Sequence, residues 1–139
     1  MKPNQWYTDT VVSGNALGRK YGFPTINLSN PNLFSENDEG VYACLVQFNN
    51  QTYQGLLFFG PRVVLGETNQ ILEINLLNFS EDVYGKRISF RPIRFIRPVK
   101  MFGSMEELAD QIRKDTIAAT AVFKEFNAQP ISTGGNLIK

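Results

Sequence analysis

The chain has 139 residues, of which 42% are hydrophobic and 19% are charged, and its net charge is +1. A chain of this length forms one domain with a single core, and its composition excludes a disordered or fibrous protein. Histidine is absent and Cys44 is the only cysteine, which excludes Ser-His and Cys-His catalysis, imidazole metal sites and internal disulfides.

Two kinds of membrane-directing segment were sought in the sequence, a membrane-spanning helix and a secretory signal. No apolar run approaches the roughly 20 residues that a membrane-spanning helix needs. The N-terminus also lacks the apolar segment of a secretory signal. We therefore expect a cytoplasmic protein without a membrane partner.

Several short strands followed by one helix make up the predicted secondary structure. Strands are expected at Gln5–Val12, Ile26–Leu28, Val41–Phe48, Thr52–Gly60, Gln70–Asn78 and Lys86–Pro98. The Asn49-Asn50 pair predicts a hairpin turn. Within the last strand the inward face is predicted to switch at Pro92, from Ile88 and Phe90 to Ile93 and Phe95, with a bulge, an edge position or a strand break at the proline. This order indicates a barrel or sandwich covered by a helix.

The helix is predicted to begin at Ser104–Glu107, which has the form of a capping box. Its helical spacing predicts an exposed Asp110–Lys114 pair and a buried face. That buried face consists of Met105, Leu108, Ile112, Ala119 and Phe123. The domain is predicted to span residues 1–126, with residues 127–139 as a flexible tail.

Loop Gly14–Gly22 is the first candidate for chemistry. Its glycines allow close approach of the backbone to an anion, and Arg19 and Lys20 add positive charge. The loop has no G-K-[ST] sequence that opens a helix, so it is not a P-loop. It is either a phosphate-binding loop or a mobile surface connection.

Two further candidates lie on predicted strands. Thr25 and Asn27 are two residues apart in an extended segment, so they share a face and could offer a hydroxyl and an amide oxygen to a hard cation. Alternatively, they satisfy nearby backbone groups. Glu73 alternates with the apolar Leu72 and Ile74 and lies away from the main core. It is either a general base or a solvated surface residue.

A basic series along the last strand is interleaved with aromatic residues. It consists of Lys86, Arg87, Arg91, Arg94, Arg97 and Lys100. These positions fall on both faces of a strand, so we interpret them as a scattered surface and expect no nucleic-acid partner. Tyr84 and Phe102 could stack on a planar ligand or belong to the core.

Taken in order, these segments resemble the riboflavin kinase family, whose members act alone or as the C-terminal half of bacterial FAD synthetases. The resemblance extends from about Val11 to Asp115. The stretch VVSGNALGRKYGFPTIN matches the family's G-x-V-x-x-G-x-x-x-G-R-x-L-G-F-P-T-A-N opening. Later matches occur at Gly40–Ala43, Leu72–Phe79, Asp82–Gly85, Ile96–Ser104 and Gln111–Asp115.

The resemblance implies a mainly β fold, a six-stranded antiparallel Greek-key barrel with a C-terminal α-helix. It also implies transfer of the ATP γ-phosphate to the ribityl 5′-hydroxyl of riboflavin, giving FMN and ADP. In this assignment Glu73 is the catalytic base, and Thr25 and Asn27 bind Mg²⁺, with Zn²⁺ or Mn²⁺ as alternatives. Arg97 and Phe102 would contact the flavin. The nucleotide would be bound by Gly14, Gly18, Arg19, Lys20, Gly22, Pro24 and Tyr84.

The sequence departs from the family pattern at several positions. The family histidine and aspartate after the catalytic glutamate are Asn75 and Asn78 here, and a glutamate near the flavin is Val99. Residues 60–66 also differ from the family form. These departures leave open a non-catalytic flavin- or nucleotide-binding regulatory module on the same barrel. No adenylyltransferase segment precedes the barrel, so we expect a stand-alone, monomeric kinase or one domain of a longer protein.

Overall fold

The computed structural model describes residues 1–2, 4–14, 25–61, 70–79 and 81–128. The interior of the predicted phosphate loop and the predicted tail beyond residue 128 lie outside these ranges. The strands are β1 (Tyr7–Gly14), β2 (Thr25–Leu28), β3 (Gly40–Phe48), β4 (Gln51–Pro61), β5 (Gln70–Leu76) and β6 (Arg87–Arg97). Helix α1 (Met105–Ala128) follows, and short 3-10 helices at Pro31–Leu33 and Glu36–Asp38 precede β3.

The six strands form a closed barrel in the order β1-β2-β5-β4-β3-β6. All neighbouring strands are antiparallel. Because β6 returns beside β3 after the consecutive strands β3, β4 and β5, the topology is a Greek key. The predicted six-stranded Greek-key barrel with a C-terminal helix is therefore confirmed.

The hairpin between β3 and β4 turns at the predicted Asn49-Asn50 pair. Both residues have positive φ, 53° and 62°. Two consecutive positive φ values match the twist of the flanking strands, and asparagine tolerates this conformation better than most residues. The turn aligns Phe48 with Gln51, and the pairing continues to Gly40 and Phe59.

Two apolar clusters stabilise the domain, one inside the barrel and one outside it. Leu57, Leu72 and Ile74 belong to the inner cluster. The outer cluster contains Val41, Leu56 and the helix residues Ala119, Val122 and Phe123, so α1 packs on the outside of β3, β4 and β6. Side chains alternate between the two faces of each strand. The even positions of β5 consequently fill the barrel, and Glu73 lies on the outer face, as predicted.

The predicted bulge at Pro92 is confirmed. Cys44 lies opposite Pro92 while the preceding Ala43 lies opposite Arg94, so Ile93 is the extra residue. A second register shift follows at Ile96. Ile93 and Ile96 pack into the outer cluster beneath the helix.

The expected switch of the inward face is found only at Phe95. Phe95 lies opposite Tyr42, which packs against the inner cluster, so it shares the inner face with Tyr42. Its side chain is nevertheless 51% exposed and makes an edge-on contact with the Tyr42 ring, at 5.3 Å between centroids. The expectation that Ile93 faces inward is wrong, because as the extra residue of the bulge it packs in the outer cluster.

Helix α1 begins at the predicted capping residues. The Ser104 hydroxyl accepts a hydrogen bond from the Glu107 backbone amide at 3.2 Å, while the Glu107 carboxylate accepts one from the Gly103 amide at 3.1 Å. Asp110 pairs with Arg113 rather than showing the expected bond to Lys114. The helix continues to Ala128, two residues beyond the predicted domain boundary. None of the helices within the described ranges is long and apolar enough to cross a membrane.

Replacing Gly40 with alanine should destabilise the barrel. Gly40 has φ +148°, and a Cβ there would lie 2.5 Å from a ring carbon of Phe95 and 2.8 Å from the Arg97 carbonyl oxygen. We expect Gly40→Ala to lower the free energy of unfolding by about 1–3 kcal/mol, measured by urea denaturation. Gly103→Ala is the control, because the atom nearest to its Cβ would be at the end of the long Glu107 side chain, at 3.3 Å. Equal losses in both variants would contradict this account.

Candidate active site

A polar cluster lies where β2 pairs with β5 on the outer face of the barrel. Asn27 is directly opposite Glu73 in this ladder, and Thr25 is opposite Asn75. The Thr25 hydroxyl donates a hydrogen bond to Glu73 Oε2 at 3.5 Å. The structure thus brings together the predicted base and both predicted metal-binding residues, although 48 positions separate Thr25 from Glu73 in the sequence.

The cluster is partly shielded from solvent. Thr25 is 7% exposed and Asn75 is 8% exposed, while Glu73 and Asn27 are half-buried. Electrostatic interactions are stronger in such surroundings than in bulk water. Sequence reasoning assigned no role to Asn75, yet its odd position in β5 puts it on the same face as Glu73. That alternation was the signal that could have included it.

The donor set suits a hard divalent cation. A hydroxyl, an amide carbonyl and a carboxylate supply oxygen, which Mg²⁺ prefers, and Mg²⁺ usually combines one or two protein ligands with water and substrate phosphates. Among the described residues there is no cluster of three or more His, Cys, Asp or Glu side chains that could form an all-protein metal cage. Thr25 and Asn27 therefore fit a metal that arrives with its phosphates.

Cys44 contributes nothing to this site. It lies inside the barrel in the inner cluster and is fully buried. Burial raises the pKa of its thiol far above the usual range, so the thiol stays protonated at neutral pH. Cys44 is therefore a packing residue of the inner cluster.

A row of paired residues crosses the barrel from the polar cluster to Arg97. Arg97 lies opposite Val41, Val41 opposite Phe58, Phe58 opposite Glu73, and Glu73 opposite Asn27. With strands about 4.8 Å apart, Arg97 is three spacings, or roughly 14 Å, from Glu73 along the sheet. Arg97 therefore shares a face with Glu73 without contacting it. Phe58 is an apolar residue next to Glu73 on this face, and the sequence analysis did not identify it as part of the site.

Arg97 forms an ion pair with the helix. Its Nε donates to both carboxylate oxygens of Asp115, at 2.9 and 3.0 Å, and Asp115 is only 2% exposed. Its Nη1 donates to the Pro98 carbonyl at 3.1 Å, and its Cζ lies 5.6 Å from the centre of the Phe102 ring. The two residues that the resemblance assigns to the flavin are thus in contact with each other. Asp115 was missed as a partner, although its spacing from Ile112 and Ala119 indicated the buried helix face.

The predicted nucleotide-binding residues are described only in part. Gly14 pairs with Ile26, so the end of β1 lies beside the start of β2, next to the polar cluster. Tyr84 is 69% exposed, and the next residue, Gly85, donates its backbone amide to Val11 of β1 at 2.8 Å. Gly18, Arg19, Lys20, Gly22 and Pro24 lie outside the described residues, and their role stays a prediction.

The basic series is largely engaged within the domain. Arg94 pairs with Glu125 at 3.1 Å, and Arg97 pairs with Asp115. Arg91 Cζ lies 6.0 Å from the centre of the Trp6 ring and 5.4 Å from that of the Phe126 ring. Three of the six cations consequently stabilise the packing of β6 against its neighbours, which favours the scattered-surface interpretation.

Comparison with known proteins identifies the family to which this chain belongs. A sequence model of the flavokinase family, described as riboflavin kinase, matches residues 3–123. The chain belongs to the riboflavin kinase family. The RNA-binding riboflavin kinase RibR of Bacillus subtilis is 39% identical over 107 residues, covering 76% of this chain and 46% of that protein. This chain spans between 17% and 46% of the length of the first three curated relatives.

Two solved structures share the fold of this riboflavin kinase family member. A protein described as a macrolide-efflux protein from Streptococcus pneumoniae is 30% identical with a TM-score of 0.70, covering 83% of this chain and 38% of that one. Riboflavin kinase from Trypanosoma brucei is 19% identical with a TM-score of 0.56, covering 86% of this chain and 79% of that one. At that identity the second structure supports the barrel fold alone.

Two ion pairs join β6 to α1, one buried and one exposed. They test how burial changes the effect of an ion pair on stability. Removing the charge of Asp115 would leave the Arg97 guanidinium, whose side chain is 13% exposed, without its counter-charge. We expect Asp115→Asn to lower the free energy of unfolding by about 3–5 kcal/mol in urea denaturation, as for other broken buried pairs. Glu125→Gln, which removes the exposed partner of Arg94, should leave the urea midpoint unchanged. A similar shift in both variants would show that burial does not distinguish them.

Proposed function

We propose that this chain catalyses the riboflavin kinase reaction, transferring the γ-phosphoryl group of ATP to the ribityl 5′-hydroxyl of riboflavin and releasing ADP and FMN. The observation that carries the proposal is the cluster of Thr25, Asn27 and Glu73 on one face of β2 and β5. Membership of the riboflavin kinase family supports it.

Glu73 acts as the general base. Its carboxylate accepts the proton of the 5′-hydroxyl as that oxygen forms a bond to the γ-phosphorus and the bond from the γ-phosphorus to the bridging oxygen of ADP breaks. The hydrogen bond from Thr25 orients the carboxylate. Phosphoryl transfer depends mainly on positioning and charge neutralisation, so a chain without histidine can carry it out.

Thr25 and Asn27 hold the metal ion that accompanies ATP. Mg²⁺ supplies charge neutralisation at the phosphate oxygens when it is bound. The neutral oxygen donors favour Mg²⁺ or Mn²⁺ over Zn²⁺, which prefers nitrogen and sulphur ligands. On this assignment loop Gly14–Gly22 carries the phosphates and Tyr84 lies beside the nucleotide.

The acceptor occupies the other side of the site. With its 5′-hydroxyl at Glu73, riboflavin extends along the outer face over Phe58 towards Arg97 and Phe102. This direction follows the row of paired residues from β5 to β6. The monomeric state and the absence of nucleic-acid binding remain predictions, and the latter has particular interest because one relative is named RNA-binding.

A non-catalytic flavin- or nucleotide-binding module is not favoured. A module that only binds needs no base at the acceptor hydroxyl, whereas Glu73 is retained and contacts Thr25. Turnover separates the two functions: incubation with riboflavin, ATP and Mg²⁺ should produce FMN, detected by chromatography. Flavin fluorescence quenching without FMN formation would instead support the module.

Glu73→Gln should abolish most of the kinase activity. The amide keeps the shape of the side chain but cannot accept the hydroxyl proton, so we expect kcat to fall roughly 10²-fold or more. The rate of FMN formation at saturating ATP and riboflavin measures this effect. Glu125→Gln, on the exposed end of the helix, serves as the control and should retain the wild-type rate. A near wild-type kcat for Glu73→Gln would remove this residue from the mechanism.

Thr25→Val should weaken the binding of Mg²⁺ without destabilising the fold. Valine has nearly the shape of threonine but no oxygen donor, so the Mg²⁺ concentration at half-maximal rate should rise by roughly tenfold, the equivalent of one lost polar contact. The titration is performed at constant free ATP. Thr8→Val, on the outer face of β1 where the hydroxyl bonds to Ser89, is the matched control. An unchanged Mg²⁺ dependence in Thr25→Val would exclude Thr25 as a metal ligand.

A further inference from the structure

The segment that joins β6 to α1, residues 98–103, is called the strap here. It has no regular secondary structure, and it follows directly on Arg97, the β6 end of the row that contains Glu73. Val99 packs on Gly60, where a Cβ would lie only 2.8 Å from Val99 Cγ2. At its other end the Gly103 amide donates to the Glu107 carboxylate at 3.1 Å. Both ends of the strap are therefore anchored to regular elements.

Asp115 connects the strap to the helix. It accepts two hydrogen bonds from Arg97 Nε and a third, at 3.0 Å, from Gln111 Nε2. Arg97 in turn donates to the Pro98 backbone carbonyl, and the side-chain amide oxygen of Gln111, Oε1, accepts from Lys100 Nζ at 3.5 Å. Two positions of the strap are thus tied to one buried carboxylate through these intermediates.

The same network holds the aromatic ring of Phe102. Arg97 Cζ lies 5.6 Å from the ring centre and Lys100 Nζ lies 5.8 Å from it. Both distances are within the range of a cation–π interaction. Because Arg97 bonds to Asp115 and Lys100 bonds to Gln111, the placement of the ring depends on the helix.

The buried ion pair suits a positioning role better than a stabilising one. Desolvating two charges largely offsets their attraction, so a buried pair adds little to stability compared with apolar packing. Arg97 also uses Nε and Nη1 within the domain, towards Asp115 and the Pro98 carbonyl. Its guanidinium is therefore committed to holding the strap.

We propose that Asp115 is a positioning residue that acts through Arg97, with Gln111 as its second support, to place Phe102 against the isoalloxazine ring of riboflavin. The proposal rests on the proposed function, which puts the 5′-hydroxyl at Glu73 and the ring near the strap. In this arrangement Phe102 contacts the flavin, and Asp115 sets the affinity for riboflavin without touching it.

Steady-state kinetics of the full chain test this role. Asp115→Asn and Phe102→Leu should each raise the KM for riboflavin roughly tenfold, within the coupling range of contacting residues, and leave kcat and the KM for ATP nearly unchanged. Phe102→Tyr, which keeps the ring, should restore a KM close to that of the wild type. The exposed pair is the matched control, and Glu125→Gln should change none of the three constants.

A double-mutant cycle distinguishes positioning from general loosening of the domain. If Asp115 acts through Phe102, the double variant should have the riboflavin KM of Phe102→Leu alone. Additive effects, an unchanged riboflavin KM, or an equal rise in the KM for ATP would each overturn the proposal. Should Asp115→Asn fail to fold, Gln111→Leu decides the question, because it removes the bonds to Lys100 and Asp115 without leaving a buried charge unpaired.

Failure of the proposed kinase function would give a different experimental result from failure of the positioning role. A wild-type protein that forms no FMN contradicts the kinase assignment, and quenching of riboflavin fluorescence then provides the readout. Weaker riboflavin binding by Asp115→Asn and Phe102→Leu, again non-additive, would support the positioning role on its own. A wild-type protein that neither phosphorylates nor binds riboflavin would overturn both.

Discussion

The pairing of β2 with β5 is the contact on which the barrel and its site both depend. β2 has only four residues, Thr25–Leu28, yet it separates β1 from β5 and completes the closed sheet. Leu28 packs into the barrel, while Thr25 and Asn27 lie on the outer face beside Asn75 and Glu73. A shift of one residue in this register would exchange the two faces. The apolar residues of β2 thus specify the same register that assembles the polar cluster.

The outer face of the barrel is divided between packing and chemistry. Helix α1 covers the apolar outer residues of β3, β4 and β6, whereas the outer face of β2 and β5 carries Thr25, Asn27, Glu73 and Asn75. Phe58 lies at the boundary, where it pairs with Glu73 and packs against the cluster beneath the helix. The helix therefore bounds the site on one side, and the strap that leads into it carries Val99 and Phe102.

Local patterns in the sequence predicted much of this arrangement. The Asn49-Asn50 turn, the bulge at Pro92, the alternation through Glu73 and the start of the helix near Ser104 are all decided by neighbouring residues, and all are found in the structure. Ile93 was misplaced because it is the extra residue of the bulge and packs in the outer cluster, which the alternation of the strand does not reveal. The ion pair between Arg97 and Asp115 was also missed. It joins a strand to a helix, and the hydrophobic periodicity of each element does not reveal how the two elements are placed relative to each other.

The sequence by itself determined the type of chemistry available to this protein. It contains no histidine and a single cysteine, so any catalysis has to use carboxylate, hydroxyl, amide, lysine or arginine groups, and its strand pattern indicated a barrel or sandwich with a covering helix. Only the tertiary structure decided which of those groups meet. Thr25 and Glu73 come into contact because closure of the barrel pairs β2 with β5. Arg97 contacts the helix because Asp115 lies on the buried face of that helix. Both contacts join distant parts of the chain, and long-range pairing is set by packing of the whole domain rather than by local propensity.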